Sequence, residues 1–136
     1  MSKEVVAKTR YIRMSPRKVG LVVDLVRGLS VVEARRRLRF SAKRAAGPVL
    51  KVLESAVANA KQTSLKEESL VVAHATADPG PTLKRGRPGP RGRLKPILKR
   101  TSHITIKLAV GGNLASGEKI GDSPKLKGGA GKNSKH

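Results

Sequence analysis

The side chains in this chain with chemistry to offer are mainly arginines and lysines, and they crowd into one stretch. From Lys84 to Arg100 there are eight cations, Lys84, Arg85, Arg87, Arg91, Arg93, Lys95, Lys99 and Arg100, and no carboxylate. A guanidinium donates paired hydrogen bonds to phosphate oxygens, and an ammonium supplies compact positive charge. The chemistry implied is recognition of a polyanion. A second set, Arg13, Arg17 and Lys18, brackets Ser15-Pro16, which reads as the start of a helix. The helix dipole disfavours cations there and favours anions, so a bound phosphate would resolve the conflict. A third set, Arg35, Arg36, Arg37 and Arg39, places four arginines in five residues, which repel one another unless something anionic lies nearby.

Groups suited to catalysis are few and scattered. His74, His103 and His136 lack metal-ligand spacing. Ser102 and His103 are neighbours on an expected strand, so they point to opposite faces and cannot pair as nucleophile and base. His74 and His103 are expected to face each other across a hairpin, with a structural or phosphate-contacting role. No phosphate-cradling glycine motif occurs between a strand and a helix. No catalytic, cofactor-binding or metal-binding residue is expected, and the chain does not read as an enzyme.

Composition narrows the partner. The chain has 136 residues and a formal net charge of +21, which points to nucleic acid. The excess is uneven: residues 1–83 carry 16 basic and 7 acidic groups, while 84–100 carry only basic ones. Tyr11 is the one tyrosine, Phe40 the one phenylalanine, and tryptophan is absent, which argues against a reader that stacks bases on aromatic platforms. The absence of cysteine excludes disulfides and zinc fingers and fits a reducing compartment. No apolar run reaches the length of a membrane span, and MSKEVVAKTR lacks the apolar segment of a secretory signal.

Residues 4–13 are rich in β-formers. Pro16 and Gly28 then bound a helix whose valines, Val19, Val22, Val23 and Val26, recur at three- and four-residue steps. Ser30 and Glu33 have capping-box spacing for a second helix running through Ala34 and Leu38. A third is expected over 42–61, capped by Ser41, with Gly47-Pro48 either marking its start or kinking its first turn. Strands are expected at 69–78, with Leu70, Val72, His74 and Thr76 on one face, and at 97–110. They pair antiparallel, so 84–96 becomes the outer part of a long hairpin reaching about 25 Å beyond the body. Such a ribbon lacks a core and needs a partner to order it. Residues 111–136 read as a disordered basic tail.

Four blocks, YIRMSPRKVGLVVDLVRG (11–28), KVLESAVANA (51–60), DPGPTLKR (78–85) and LKRTSHITI (98–106), resemble in order and spacing the bacterial-type family of large-ribosomal-subunit protein number twenty-two. The resemblance implies an α+β fold of three helices packed on a small antiparallel three-stranded sheet, with one very long β-hairpin. It further implies a cytoplasmic, ribosome-bound protein, of bacterial or organellar source, that contacts several domains of large-subunit rRNA and neighbouring large-subunit proteins and takes part in assembly. The hairpin tip, Gly86, Arg87, Pro88, Gly89, Pro90 and Arg91, would line the exit tunnel beside the nascent peptide, close to where macrolides act. Carried over residue by residue, Arg13, Arg17, Lys18, Lys84, Arg85, Arg87, Arg91, Arg93, Lys95, Lys99, Arg100, Ser102 and His103 fall at rRNA contacts. Gly86, Arg87 and Gly89-Pro90 depart from the family's usual tip residues.

Charge alone admits a rival: a sequence-independent DNA-bending protein with its arm in a minor groove. An anionic-membrane binder fits less well, because the arm has no apolar helical face.

Overall fold

The computed structural model of the chain describes residues 3–111. The element order is β1 (Glu4–Ile12), α1 (Pro16–Val26), α2 (Val31–Phe40), α3 (Ala46–Gln62), β2 (Leu70–Pro79), β3 (Leu83–Pro88), β4 (Leu94–Lys99) and β5 (Ser102–Val110), with single 3-10 turns at Glu67–Ser69 and Pro90–Gly92. The fold class is α+β. Three helices cover one face of an antiparallel sheet of order β1-β5-β2, and β3 and β4 form a separate two-stranded ribbon. The expected tail, apart from Gly111, lies outside the described residues.

The helical periodicity works as the sequence implies. Val19, Val22, Val23 and Val26 of α1 are buried, together with Val49, Val52, Leu53, Ala56, Val57 and Ala60 of α3. They meet Ile104, Ile106 and Leu108, the inward face of β5, in one continuous core. Ser30 caps α2 by accepting from the Glu33 N–H at 3.4 Å, whereas the Ser15 side chain makes no capping bond to α1. Gly28 follows the end of α1 at φ +82, and its N–H donates to the Val72 carbonyl at 2.9 Å. The link between α1 and α2 thereby covers the outer edge of β2.

Three expectations need correction. The third helix begins at Ala46, the later of the two starts expected around Gly47-Pro48, so Ser41 does not cap it and instead accepts from the Lys43 N–H at 3.3 Å in a local turn. Pro48 explains the late start: it lacks an N–H and its ring crowds the carbonyl four residues back, so it belongs in a first turn. On β2 the register slips between Val72 and His74. The alternation therefore flips, so that Leu70, Val72 and Ala75 are buried while His74 is exposed opposite Lys107. His103 pairs in register with Asp78, so the two histidines do not face each other.

The third correction concerns the expected 97–110 strand, which is two strands. Pairing stops after Leu83↔Lys99 and resumes at Pro79↔Ser102. The joint is held by the Gly80 N–H donating to the Thr101 carbonyl at 2.9 Å and the Thr101 hydroxyl donating to the Pro81 carbonyl at 2.6 Å. A Cβ on residue 80 would stand 2.5 Å from Thr101 Oγ1 and 3.1 Å from His103 Cε1, so only glycine fits without displacement.

Candidate nucleic-acid interface

Where the base of the β3–β4 ribbon meets the start of α1 and the link between α2 and α3, the surface forms an open groove of about 720 Å³. Its cations are Arg13, Lys18, Lys43, Arg44, Lys99 and Arg100, and its apolar lining is Met14, Leu21, Ala45 and Leu98. Ser15, whose hydroxyl is not used as a cap, completes it. Among the described residues no carboxylate lines the groove. Cations around an apolar floor suit a nucleic-acid strand, with phosphates on the rim and sugars or bases over the floor.

Four of these six cations were expected from the sequence and two were not. Lys43 and Arg44 fall inside the segment expected to be helical. The delayed start of α3 leaves them in the link, beside the ribbon base. The signal was present in the sequence as two adjacent cations just ahead of Gly47-Pro48. Arg17 is exposed on the first turn of α1 but does not line the groove.

The ribbon continues the basic surface outward. Every residue from Lys84 to Arg100 is exposed except Gly89, which is half-buried beneath the tip. At the tip, Arg91 takes a left-handed conformation at φ +59, and the Gly89 N–H donates to the Arg93 carbonyl at 2.6 Å. Among the described residues, no cation of the ribbon or the groove is in a salt bridge.

The arginines of α2 behave in the opposite way. Arg36 and Arg37 both reach Glu33 at 3.5 Å, Arg39 reaches Glu54 at 3.9 Å, and Arg35 donates to Glu67. Lys61 also reaches Glu67 at 3.3 Å. The hydrogen bond from Arg35 holds the Glu67 carboxyl below the usual carboxylate range, against the opposing effect of burial, and Lys61 adds to the lowering. The anion that four crowded arginines require is thus supplied from within the fold.

Ser102 and His103, at the start of β5, are mainly architectural. His103 Nδ1 accepts from the Tyr11 N–H at 3.1 Å, and the two rings meet edge to face with centroids 5.1 Å apart. A register shift between Thr9 and Ile12 puts Tyr11 at φ +60 and turns its side chain to solvent. Ser102 is completely buried, so its hydroxyl is not available at the surface to a phosphate. The expectation of an rRNA contact through that side chain is corrected accordingly: its alternation with His103 puts it on the inward face with Ile104.

Comparison with known proteins gives a consistent picture. Residues 7–109 match the family model described as ribosomal protein L22p/L17e. The chain is 56% identical over 104 residues to large ribosomal subunit protein uL22 of Thermus thermophilus, covering 76% of this chain and 92% of that protein. It is 49% identical over 107 residues to the protein of that name from Desulfosudis oleivorans, covering 79% and 94%.

Proposed function

The chain belongs to the ribosomal protein L22p/L17e family, and from that premise we propose that it is a structural constituent of the large ribosomal subunit that binds large-subunit rRNA through one continuous basic surface. It works in the ribosome, in the cytoplasm, and its role is structural rather than enzymatic. The observation that carries the rRNA reading is the absence, among the described residues, of any internal counter-ion in the groove and along the ribbon, beside a helix whose arginines are all paired. Evenly spread positive charge would suit any polyanion. Here the arginines of α2 are paired with the protein's own carboxylates, while the cations of one concave surface and its extension are left bare among the described residues.

In this reading Arg13, Lys18, Lys43, Arg44, Lys99 and Arg100 hold a strand of rRNA in the groove, and Arg17 contacts phosphate beside it. Lys84, Arg85, Arg87, Arg91, Arg93 and Lys95 continue the contact along the arm, and His103 supports the joint. The body, 3–82 with 101–110, anchors the arm, 83–100, which gains order by threading between rRNA segments during assembly. The tip, Gly86 to Arg91, lines the nascent-peptide exit tunnel, where a macrolide would lie close to it. Neighbouring large-subunit proteins complete the surroundings.

Competition binding at physiological salt tests the reading. Large-subunit rRNA should displace the full chain from random duplex DNA at much lower concentration than the reverse. Equal preference would favour the DNA-bending alternative. In cells, sucrose-gradient fractionation should find the protein travelling with large subunits.

A further inference from the structure

The β3–β4 ribbon has two unlike faces. In an antiparallel ladder, directly paired residues share a face and the next pair takes the other. The register is Leu83↔Lys99, Lys84↔Leu98, Arg85↔Ile97, Gly86↔Pro96, Arg87↔Lys95 and Pro88↔Leu94. One face therefore carries Arg85, Arg87, Lys95 and Lys99 with Leu83 and Ile97. The other carries Gly86, Pro88, Leu94, Pro96 and Leu98, with Lys84 as its one cation. The placement of Leu94 agrees, because a Cβ on Gly86 would stand 3.3 Å from Leu94 Cδ2.

The charged face is arranged against itself. Arg87 stands directly opposite Lys95, and Arg85 lies diagonally between Lys95 and Lys99. Like charges directly across a ladder destabilise it, and no carboxylate of the described residues reaches any of these four. Arg85 and Arg87 repeat at a two-residue step of about 7 Å along the strand. We propose that beyond Lys84, which contacts RNA at its base, the ladder binds RNA by this one face: Arg85, Arg87, Lys95 and Lys99 form a phosphate rail, and the face of Gly86, Pro88, Leu94, Pro96 and Leu98 makes no phosphate contact.

An anion lying between the two strands on the charged face removes the cross-strand repulsion, so binding and ladder formation reinforce each other. On the opposite face a phosphate would meet two prolines, a glycine and two leucines, with Lys84 at the base as the single charged donor. The inference rests on the proposed rRNA-binding function and adds a side to it, because net charge alone would make both faces equivalent.

A charge-neutral exchange across the ribbon provides the test. Leu94→Lys with Lys95→Leu, combined with Leu98→Lys and Lys99→Leu, keeps composition and net charge while moving two cations to the other face. Affinity of the full chain for a large-subunit rRNA transcript is measured across a salt series. The exchanged chain should bind at least tenfold more weakly, with a salt slope shallower by about 1.5–2. A second variant, Arg85→Gln with Arg87→Gln, leaves β4 intact and should reduce the slope by a similar amount. Unchanged affinity and slope in both variants would overturn the rail while leaving rRNA binding intact. Failure of the unaltered chain to prefer the transcript would instead overturn the rRNA reading itself.

Discussion

Two arginine-rich regions of this protein look alike in sequence and differ in physics. Helix α2 carries Arg35, Arg36, Arg37 and Arg39, and each has a carboxylate partner in Glu67, Glu33 or Glu54. The groove and the ribbon carry a larger set with no such partner among the described residues. On the proposed function, positive charge marks a binding surface only where the fold withholds its own anions. The presence of clustered cations does not separate the two cases, whereas the positions of Glu33, Glu54 and Glu67 do.

The comparison can be broken most forcefully at the groove. Replacing Lys43, Arg44, Lys99 and Arg100 together with glutamine should weaken rRNA binding on the order of a hundredfold and flatten the salt slope by about 3–4. All four are exposed, so the melting transition should stay where it is. Filter binding over a salt series beside thermal melting checks both halves.

A core substitution should do the reverse. Leu53 is completely buried on α3, and Leu53→Ala should cost about 3–4 kcal/mol by denaturant unfolding while leaving the salt slope unchanged. The joint between body and ribbon is the next most sensitive point. Gly80→Ala forces a methyl against Thr101 and His103 and should cost about 2 kcal/mol. Amide exchange should quicken at Gly80, whose N–H holds the Thr101 carbonyl.

The smallest effect sharpens the α2 side of the comparison. Glu67 has its carboxyl held down mainly by Arg35, so its contribution is present at neutral pH and lost as the pH falls through its lowered value. Glu67→Gln should cost about 1 kcal/mol at neutral pH and remove that part of the acid dependence. It also turns Arg35 into an arginine without its partner, so rRNA affinity should hold or rise slightly, and not fall.

Much of this architecture is legible in the sequence because it follows from periodicity. The valine spacing of α1, the Ser30–Glu33 cap and the alternation of β5 each depend on residues close in the chain. The features that escaped are set by tertiary context. The slip at Ala73 reversed the faces of β2, since nothing local to VVAHAT marks a bulge. The break at Arg100–Thr101 depends on Gly80, some twenty residues away. Pro48 offered two helix starts, and the later one carried Lys43 and Arg44 into the groove. The pairing of α2 was hidden for the same reason: Glu33 is a neighbour in sequence, but Glu54 and Glu67 arrive only through folding.

The central claim, that bare cations bind and paired cations do not, is tested most directly by two triple variants in one assay. Arg36→Gln, Arg37→Gln and Arg39→Gln remove three charges from α2, while Lys43→Gln, Arg44→Gln and Arg100→Gln remove three from the groove. Both lower the net charge equally. The salt slope of binding to large-subunit rRNA should fall by about 2–3 for the groove variant and stay within about 0.5 of the original for the α2 variant. Equal losses in the two variants would contradict the account, because total charge, and not its internal pairing, would then decide where RNA binds.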